Sequence, residues 1–253
     1  MTLAHEDRGT GDAIVLIHGH PFDRRMWLPQ VRVLSDEFRL VAPDLPGYGE
    51  SPSPAATVTM RELAEAVILT LDAIDVPRAA IVGLSMGGLV AMELALGWPQ
   101  RVAGLVLAAT TVARVTAEEA ERRREVAAGI ERDGMLTHVL DMAGRLFGET
   151  ARRDPAIVAE VLDMMLHTPP AGAAAALRGR ALRPDYSRRL GGLKVPSLVV
   201  AGDQDGYAPE PVVEQLVASL DRPEVLRLAG VGHLPNLEAP EQFNAALRRF
   251  ARA

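Results

Sequence analysis

Three residues whose types can jointly cleave an acyl bond, a serine, an aspartate and a histidine, each follow a strand-like segment of this chain. Ser85 stands in Gly83-Leu84-Ser85-Met86-Gly87, after the apolar run Ala79 to Val82 and at the head of the helical run Gly87 to Trp98. A serine caught between strand and helix must occupy a tight turn, and glycines two positions to either side let neighbouring backbones pass close by because they lack a Cβ. Such a turn pushes the hydroxyl clear of the chain and brings the first helix amides near whatever it attacks.

That hydroxyl needs a base, and the base needs an orienting acid. Among six histidines, His233 in Gly230-Val231-Gly232-His233-Leu234-Pro235 lies between the last strand and the last helix, on the same sheet edge as Ser85. Two carboxylates follow the preceding strand, in Gly202-Asp203-Gln204-Asp205-Gly206-Tyr207-Ala208-Pro209. Asp203, next to the strand, suits the usual task of holding turn amides; Asp205 lies further out and can reach the next loop. Spacing favours Asp205 and leaves Asp203 as the alternative.

A developing oxyanion needs N–H donors aimed at it. The amide of Met86 is one candidate. The other is the amide of His20, in His18-Gly19-His20-Pro21-Phe22 after the first long strand. His18 and His20 also raise the question of a metal. Apart from Asp23 no carboxylate stands close to them, and Pro21 is unsuited to a helix interior, so no metal is expected. No cofactor is expected either.

The elements that must position these groups are legible as alternating runs. Ala13 to Ile17, Leu40 to Pro43, Ala79 to Val82, Val102 to Ala108 and Ser197 to Ala201, with a shorter Val225 to Leu228, have the continuous apolar character of strands covered on both faces. Helical patterns lie between them: Trp27 to Ser35, Met60 to Ile74, Gly87 to Trp98, Glu210 to Leu220 and Pro240 to Ala251. Thr59 with Glu62 forms a capping-box signature at the start of the second. The alternation predicts a doubly wound α/β sheet, with an initial antiparallel hairpin near Leu3 to His5.

The alternation breaks between Val112 and Arg189. Helical patterns there run from Thr116 to Arg132, Met135 to Phe147, Asp154 to Leu166 and Thr168 to Leu182. An all-helical insert between core strands predicts a cap, residues 112–189, over the carboxyl edge of a core made of residues 1–111 and 190–253. Met135, Leu136, Val139, Leu140, Met142, Met164, Met165 and Leu166 are candidates for its underside. A substrate pocket is expected from Phe22, Trp27, Met135, Val139, Met142, Met165 and Leu234. Arg145 and Arg178 contradict an apolar pocket if they point inward to a substrate carboxylate.

Composition bounds the rest. The chain has 253 residues, 48% hydrophobic and 24% charged, which fits an ordered globular protein. Having no cysteine, it excludes disulfides, thiolate nucleophiles and zinc–thiolate sites, and is compatible with the cytosol. The start shows no basic-then-apolar leader, and no apolar run is long enough to span a bilayer. A cytoplasmic location and no membrane partner are therefore expected. Net charge is −6 without a basic block, so no nucleic-acid partner is expected. No coiled-coil heptad occurs, and a monomer or a homodimer is expected.

Several segments, in this order, are similar to motifs of one superfamily: His18-Gly19-His20-Pro21; Asp44-Leu45-Pro46-Gly47-Tyr48-Gly49-Glu50-Ser51; Gly83-Leu84-Ser85-Met86-Gly87-Gly88; Gly202 to Pro209; and Gly232-His233. On these the chain resembles the α/β-hydrolase superfamily over essentially its whole length. The resemblance implies a mostly parallel doubly wound sheet with a helical cap, and the order nucleophile, acid, histidine agrees with it. It also places the acid four residues before a proline, which matches Asp205 and Pro209. A serine in the nucleophile slot separates the chain from dehalogenases and epoxide hydrolases, which use aspartate.

The chain is similar to small bacterial carboxylesterases, enol-lactonases, carbon–carbon bond hydrolases and cofactor-free haloperoxidases (perhydrolases). The expected activity is hydrolysis of a small, mostly apolar ester or lactone through an acyl-enzyme on Ser85, His233 and Asp205. Carbon–carbon hydrolysis of a vinylogous diketone is the alternative, with perhydrolysis as a side activity. A non-catalytic ligand-binding protein on the same scaffold typically lacks a triad residue, whereas all three candidates are present here.

Overall fold

The computed structural model describes residues 2–53 and 56–252. Seven strands form one sheet: β1 (His5–Arg8), β2 (Ala13–Ile17), β3 (Arg39–Pro43), β4 (Ala79–Leu84), β5 (Val102–Ala108), β6 (Ser197–Gly202) and β7 (Glu224–Leu228). Their order across the sheet is β1-β3-β2-β4-β5-β6-β7, and all neighbours pair in parallel except β1 with β3.

The sheet divides its own side chains between two cores, because successive strand residues point to opposite faces. Ile14, Leu16, Val82, Leu84, Val106, Leu198 and Val200 enter one cluster; Val15, Ile17, Ile81, Leu105, Leu107, Val199 and Ala201 enter the other. The first face is covered by α1 (Leu28–Leu34) and α11 (Pro240–Ala251), through Val31, Leu34, Phe243 and Phe250. The second is covered by α2 (Met60–Ala73), α3 (Met86–Gly97) and α9 (Glu210–Ala218), through Leu63, Val67, Leu89, Met92 and Val213. The Thr59–Glu62 capping box forms as its residue types predict.

No initial hairpin forms. β1 pairs with β3, which lies between β1 and β2. The composition explains this: β1 reads His-Glu-Asp-Arg and is partly exposed, so it is tolerated only at an edge, whereas β2 is almost wholly buried and takes an interior place. Asp7 and Arg39 join the two edge partners through an ion pair, and the Arg39 guanidinium and its hydrogen bond hold the Asp7 carboxyl below its usual range.

Between β5 and β6 lie five helices and, among the described residues, no strand: α4 (Ala117–Asp133), α5 (Leu136–Leu146), α6 (Glu149–Arg152), α7 (Pro155–Leu166) and α8 (Pro170–Ala181). A short α10 (Pro235–Glu238) precedes α11. The sequence patterns anticipate α4, α5, α7 and α8 but neither α6 nor α10, each a single turn of four residues. Among the described residues, no helix is long and apolar enough to cross a membrane.

Candidate active site

From Ala79 to Ala95 every residue is buried except Ser85. This follows from the turn that joins β4 to α3. Ser85 has φ 55° and ψ −112°, a conformation that an L-residue adopts only when its surroundings enforce it. Its N–H donates to Ala108 O at 2.9 Å and its carbonyl accepts from the Thr110 hydroxyl at 2.7 Å. A Cβ on Gly83 would lie 2.2 Å from Gly87 O, and one on Gly87 would lie 2.2 Å from Ile17 O. Only glycines let β2, β4 and α3 converge so closely.

Three loops at the carboxyl ends of β4, β6 and β7 bring Ser85, Asp205 and His233 into one hydrogen-bonded line. His233 Nε2 lies 2.9 Å from Ser85 Oγ, and His233 Nδ1 lies 2.8 Å from Asp205 Oδ2 and 2.9 Å from Oδ1. Asp205 Oδ1 also accepts the amides of Tyr207 and Ala208, at 2.7 and 3.0 Å. Burial pushes the Asp205 carboxyl upward, but the imidazole beside it and these hydrogen bonds outweigh burial and hold its pKa below 3.8. Asp203, the other candidate, accepts the Gly230 amide at 2.7 Å and thereby ties the β6 loop to the loop carrying His233.

The His233 loop depends on a residue that the sequence did not single out. Buried Glu238 accepts backbone amides from three places: Gly148 at 2.8 Å, Gly232 at 3.0 Å and Leu234 at 3.2 Å. Its position in the turn after His233 was visible. Its acceptor role was not, because the donors are main-chain groups of two separate segments.

The N–H groups of Met86 and His20 have no protein acceptor among the described residues. The His20 ring is held by Tyr48, Nδ1 to hydroxyl 2.7 Å, and by His138, Nε2 to Nε2 3.0 Å. His138, on α5, is a further site-lining residue that sequence reasoning missed. Burial holds both imidazoles neutral: His138 is drawn down to about 4, with the Arg180 charge adding, and His20 falls well below 6.5 through burial and then its charged or polar neighbours His138 and Arg180. His18 serves the scaffold, accepting the Leu45 amide at Nε2 (2.8 Å), while its Nδ1 lies 2.8 Å from Gly19 O.

A cavity of about 410 Å³ opens beside Ser85, His233 and His20. The structure corrects the pocket predicted for it. Of the seven residues expected, only Met142 lines the wall; Phe22, Trp27, Met135, Val139, Met165 and Leu234 are buried in the core. Leu136, Leu140 and Leu166 turn to solvent instead. Apolar side chains on adjoining helices lose more water by packing against each other than by facing a cavity, so the periodicity marked core contacts. The wall carries Arg123, Arg145, Arg180 and Arg183 alongside Leu89, Val126 and Leu177. Arg145 stacks on Tyr207, 4.5 Å from its ring centre, whereas Arg178 lies off the cavity and pairs with Glu131.

This arrangement has close counterparts among known proteins. The chain is 33% identical over 252 residues to the dihydrolipoyllysine-residue acetyltransferase component of the acetoin cleaving system of Pseudomonas putida; the match covers 96% of this chain and 64% of that protein. A malate-bound thermophilic esterase from Thermogutta terrifontis superposes with a TM-score of 0.96 at 37% identity, covering 99% of this chain and 93% of the other. The enol-lactonase of Burkholderia xenovorans LB400 superposes with a TM-score of 0.91 at 27% identity, covering 99% and 96%. The family model described as "Alpha/beta hydrolase family" matches residues 14–246. With the seven-stranded sheet, the helical insert and that match in agreement, the chain belongs to the alpha/beta hydrolase family.

Proposed function

We propose that this protein is a serine hydrolase that cleaves small carboxylic esters or lactones through an acyl-enzyme, with residues 112–189 as the cap over its site. The observation that carries the reading is the continuous line from Ser85 Oγ through His233 to Asp205, with no contact longer than 2.9 Å. Its similarity to an esterase and an enol-lactonase over nearly the whole chain supports the same chemistry.

Ser85 Oγ attacks the substrate carbonyl carbon while His233 Nε2 takes the hydroxyl proton. The carbonyl oxygen, now an oxyanion, receives the free amides of Met86 and His20, each worth roughly 3 kcal/mol at the transition state. Asp205 fixes the imidazole with its proton on Nδ1 and stabilises the imidazolium. His233 then gives the Nε2 proton to the departing alkoxide, or to the ring oxygen of a lactone, leaving Ser85 acylated. Water attacks the acyl carbon, His233 takes its proton, and the proton returns to Ser85 Oγ as the acid leaves.

A fluorophosphonate probe tests the nucleophile directly. It labels the wild type and not Ser85→Ala, and the same substitution lowers kcat on p-nitrophenyl esters and lactones by at least about a thousandfold. Undiminished turnover by Ser85→Ala overturns the reading.

A further inference from the structure

Six arginines line the cavity beside Ser85, namely Arg114, Arg122, Arg123, Arg145, Arg180 and Arg183, against two acidic residues, Glu119 and Asp141. Many arginines elsewhere in the fold are matched to carboxylates, such as Arg24 to Asp44, Arg39 to Asp7 and Arg178 to Glu131. Among the described residues none of these six is so paired. Arg114, Arg122 and Arg145 stand at the exposed rim, while Arg123 and Arg180 are largely and Arg183 almost wholly withdrawn from solvent.

The inner three form one cluster. Arg123 lies on α4, Arg180 on α8 and Arg183 just beyond it, where the two helices lie against each other. Buried guanidinium atoms there have no hydrogen-bond partner: Nη1 of Arg123, Nε of Arg180, and both Nε and Nη1 of Arg183. Arg183 spends only Nη2, on Ala113 O at 3.0 Å. Glu119 acts on Arg123 and Arg183 through its charge but forms no ion pair with them among the described residues, its Oε2 accepting the Thr116 amide at 3.0 Å in the cap of α4. Arg180 keeps part of its surface open to the cavity yet sits deep in the protein. Loss of hydration, with repulsion from Arg123 and Arg183, draws it down to about 9. Its charge reaches Tyr48, His20 and His138, so the cluster adjoins the Ser85 side of the cavity.

Uncompensated buried cations destabilise a fold, and unpaired buried N–H groups add to that cost. A free carboxylate in the cavity would offset the charge through the guanidinium atoms that line its wall, since its two oxygens match the planar fork of a guanidinium. We infer that the substrate is an ester or lactone bearing a second, free carboxylate, which Arg123, Arg180 and Arg183 hold while the reacting carbonyl lies at Ser85. The inference rests on the hydrolase reading for its reacting carbonyl and on the cluster alone for its anion. A cavity of about 410 Å³ suits a small molecule with both groups.

The test compares kcat/KM for monomethyl succinate, glutarate, adipate and pimelate with that for the methyl esters of the matching monocarboxylic acids. At least one half-ester exceeds its neutral counterpart by about tenfold or more, and the ratio falls towards one in Arg180→Gln and in Arg123→Gln. Because a buried amide in either variant can disturb the side chains around it, binding is also measured without them. Thermal shift and calorimetry on Ser85→Ala with succinate, glutarate, adipate and pimelate show saturable stabilisation, absent with the corresponding diamides.

Turnover of neutral esters with no half-ester preference overturns the inference. So does the absence of stabilisation by every dicarboxylate, or stabilisation by inorganic phosphate alone. Dicarboxylate binding to a protein that Ser85-directed probes do not label supports the anion site and sinks the hydrolase reading instead.

Discussion

Gly148 and Gly232 meet so closely that a Cβ placed on either would lie 2.4 Å from the other's amide nitrogen. One belongs to the helical insert, between α5 and α6; the other immediately precedes His233. The contact therefore fixes the insert and the imidazole in one frame. His233 N–H donating to Leu146 O at 2.8 Å completes it.

Gly232→Ala must separate these segments, because the atoms it meets are backbone and cannot swing aside. The expected result is a fall in kcat/KM of about a hundredfold with Ser85 still labelled slowly, since displacing a catalytic group by about 1 Å costs that much. Kinetics on p-nitrophenyl acetate alongside a thermal melt separate misplacement from unfolding.

Glu238→Gln keeps the shape of the side chain and replaces one acceptor oxygen by an NH₂ group. Three amides converge on the present carboxylate, from Gly148, Gly232 and Leu234. At least one donor is then left facing another donor in a buried site, which costs about 1–3 kcal/mol. Urea denaturation should show that loss, and kcat should fall with it because the same amides shape the His233 loop. An unchanged midpoint and unchanged kcat would refute the role assigned to Glu238.

His138 gives the pH dependence of stability an identifiable contributor. Its pKa drops from 6.5 to about 4 on folding, so between those values the unfolded chain binds more protons than the folded one. Stability therefore rises with pH across this window and is lost as pH falls through it. His20, also held neutral by burial, acts in the same direction. Thermal melts from pH 4 to 7 should show a shallower slope for His138→Gln than for the wild type; an equal slope removes His138 from the account.

Arg180→Met is expected to stabilise the protein even though it removes the proposed anion contact. The cation it deletes is deprived of water and unpaired at Nε, and replacing buried charge with apolar volume is worth about 1–3 kcal/mol in such settings. For a chain of 253 residues that is a rise in Tm of roughly 2–12 °C, read by differential scanning calorimetry. A lower Tm would mean that Arg180 is compensated within the fold.

Legibility in the sequence followed the kind of interaction involved. Ser85 was readable because its neighbours must be glycine for steric reasons, and Thr59 with Glu62 because a capping box is local. His233 was readable from its place after β7, whereas place after β6 left Asp203 and Asp205 both open. Arg180 was not: within Ala174 to Leu182 it reads as one more surface arginine, and only the rotation of α8 against α4 turns it inward. Phe22, Trp27 and Leu234 failed as pocket residues because an apolar type specifies dry surroundings, not whether a cavity or a neighbouring side chain supplies them.

The outermost strand β7 carries one more consequence. Of its exposed residues, Glu224 and Arg227 pair with Arg249 and Glu210 on adjacent helices, on either side of the apolar Val225. A second chain approaching along that border meets anchored charge on both sides of Val225, which disfavours strand addition there. Those anchored charges oppose open-ended growth of the sheet along that border.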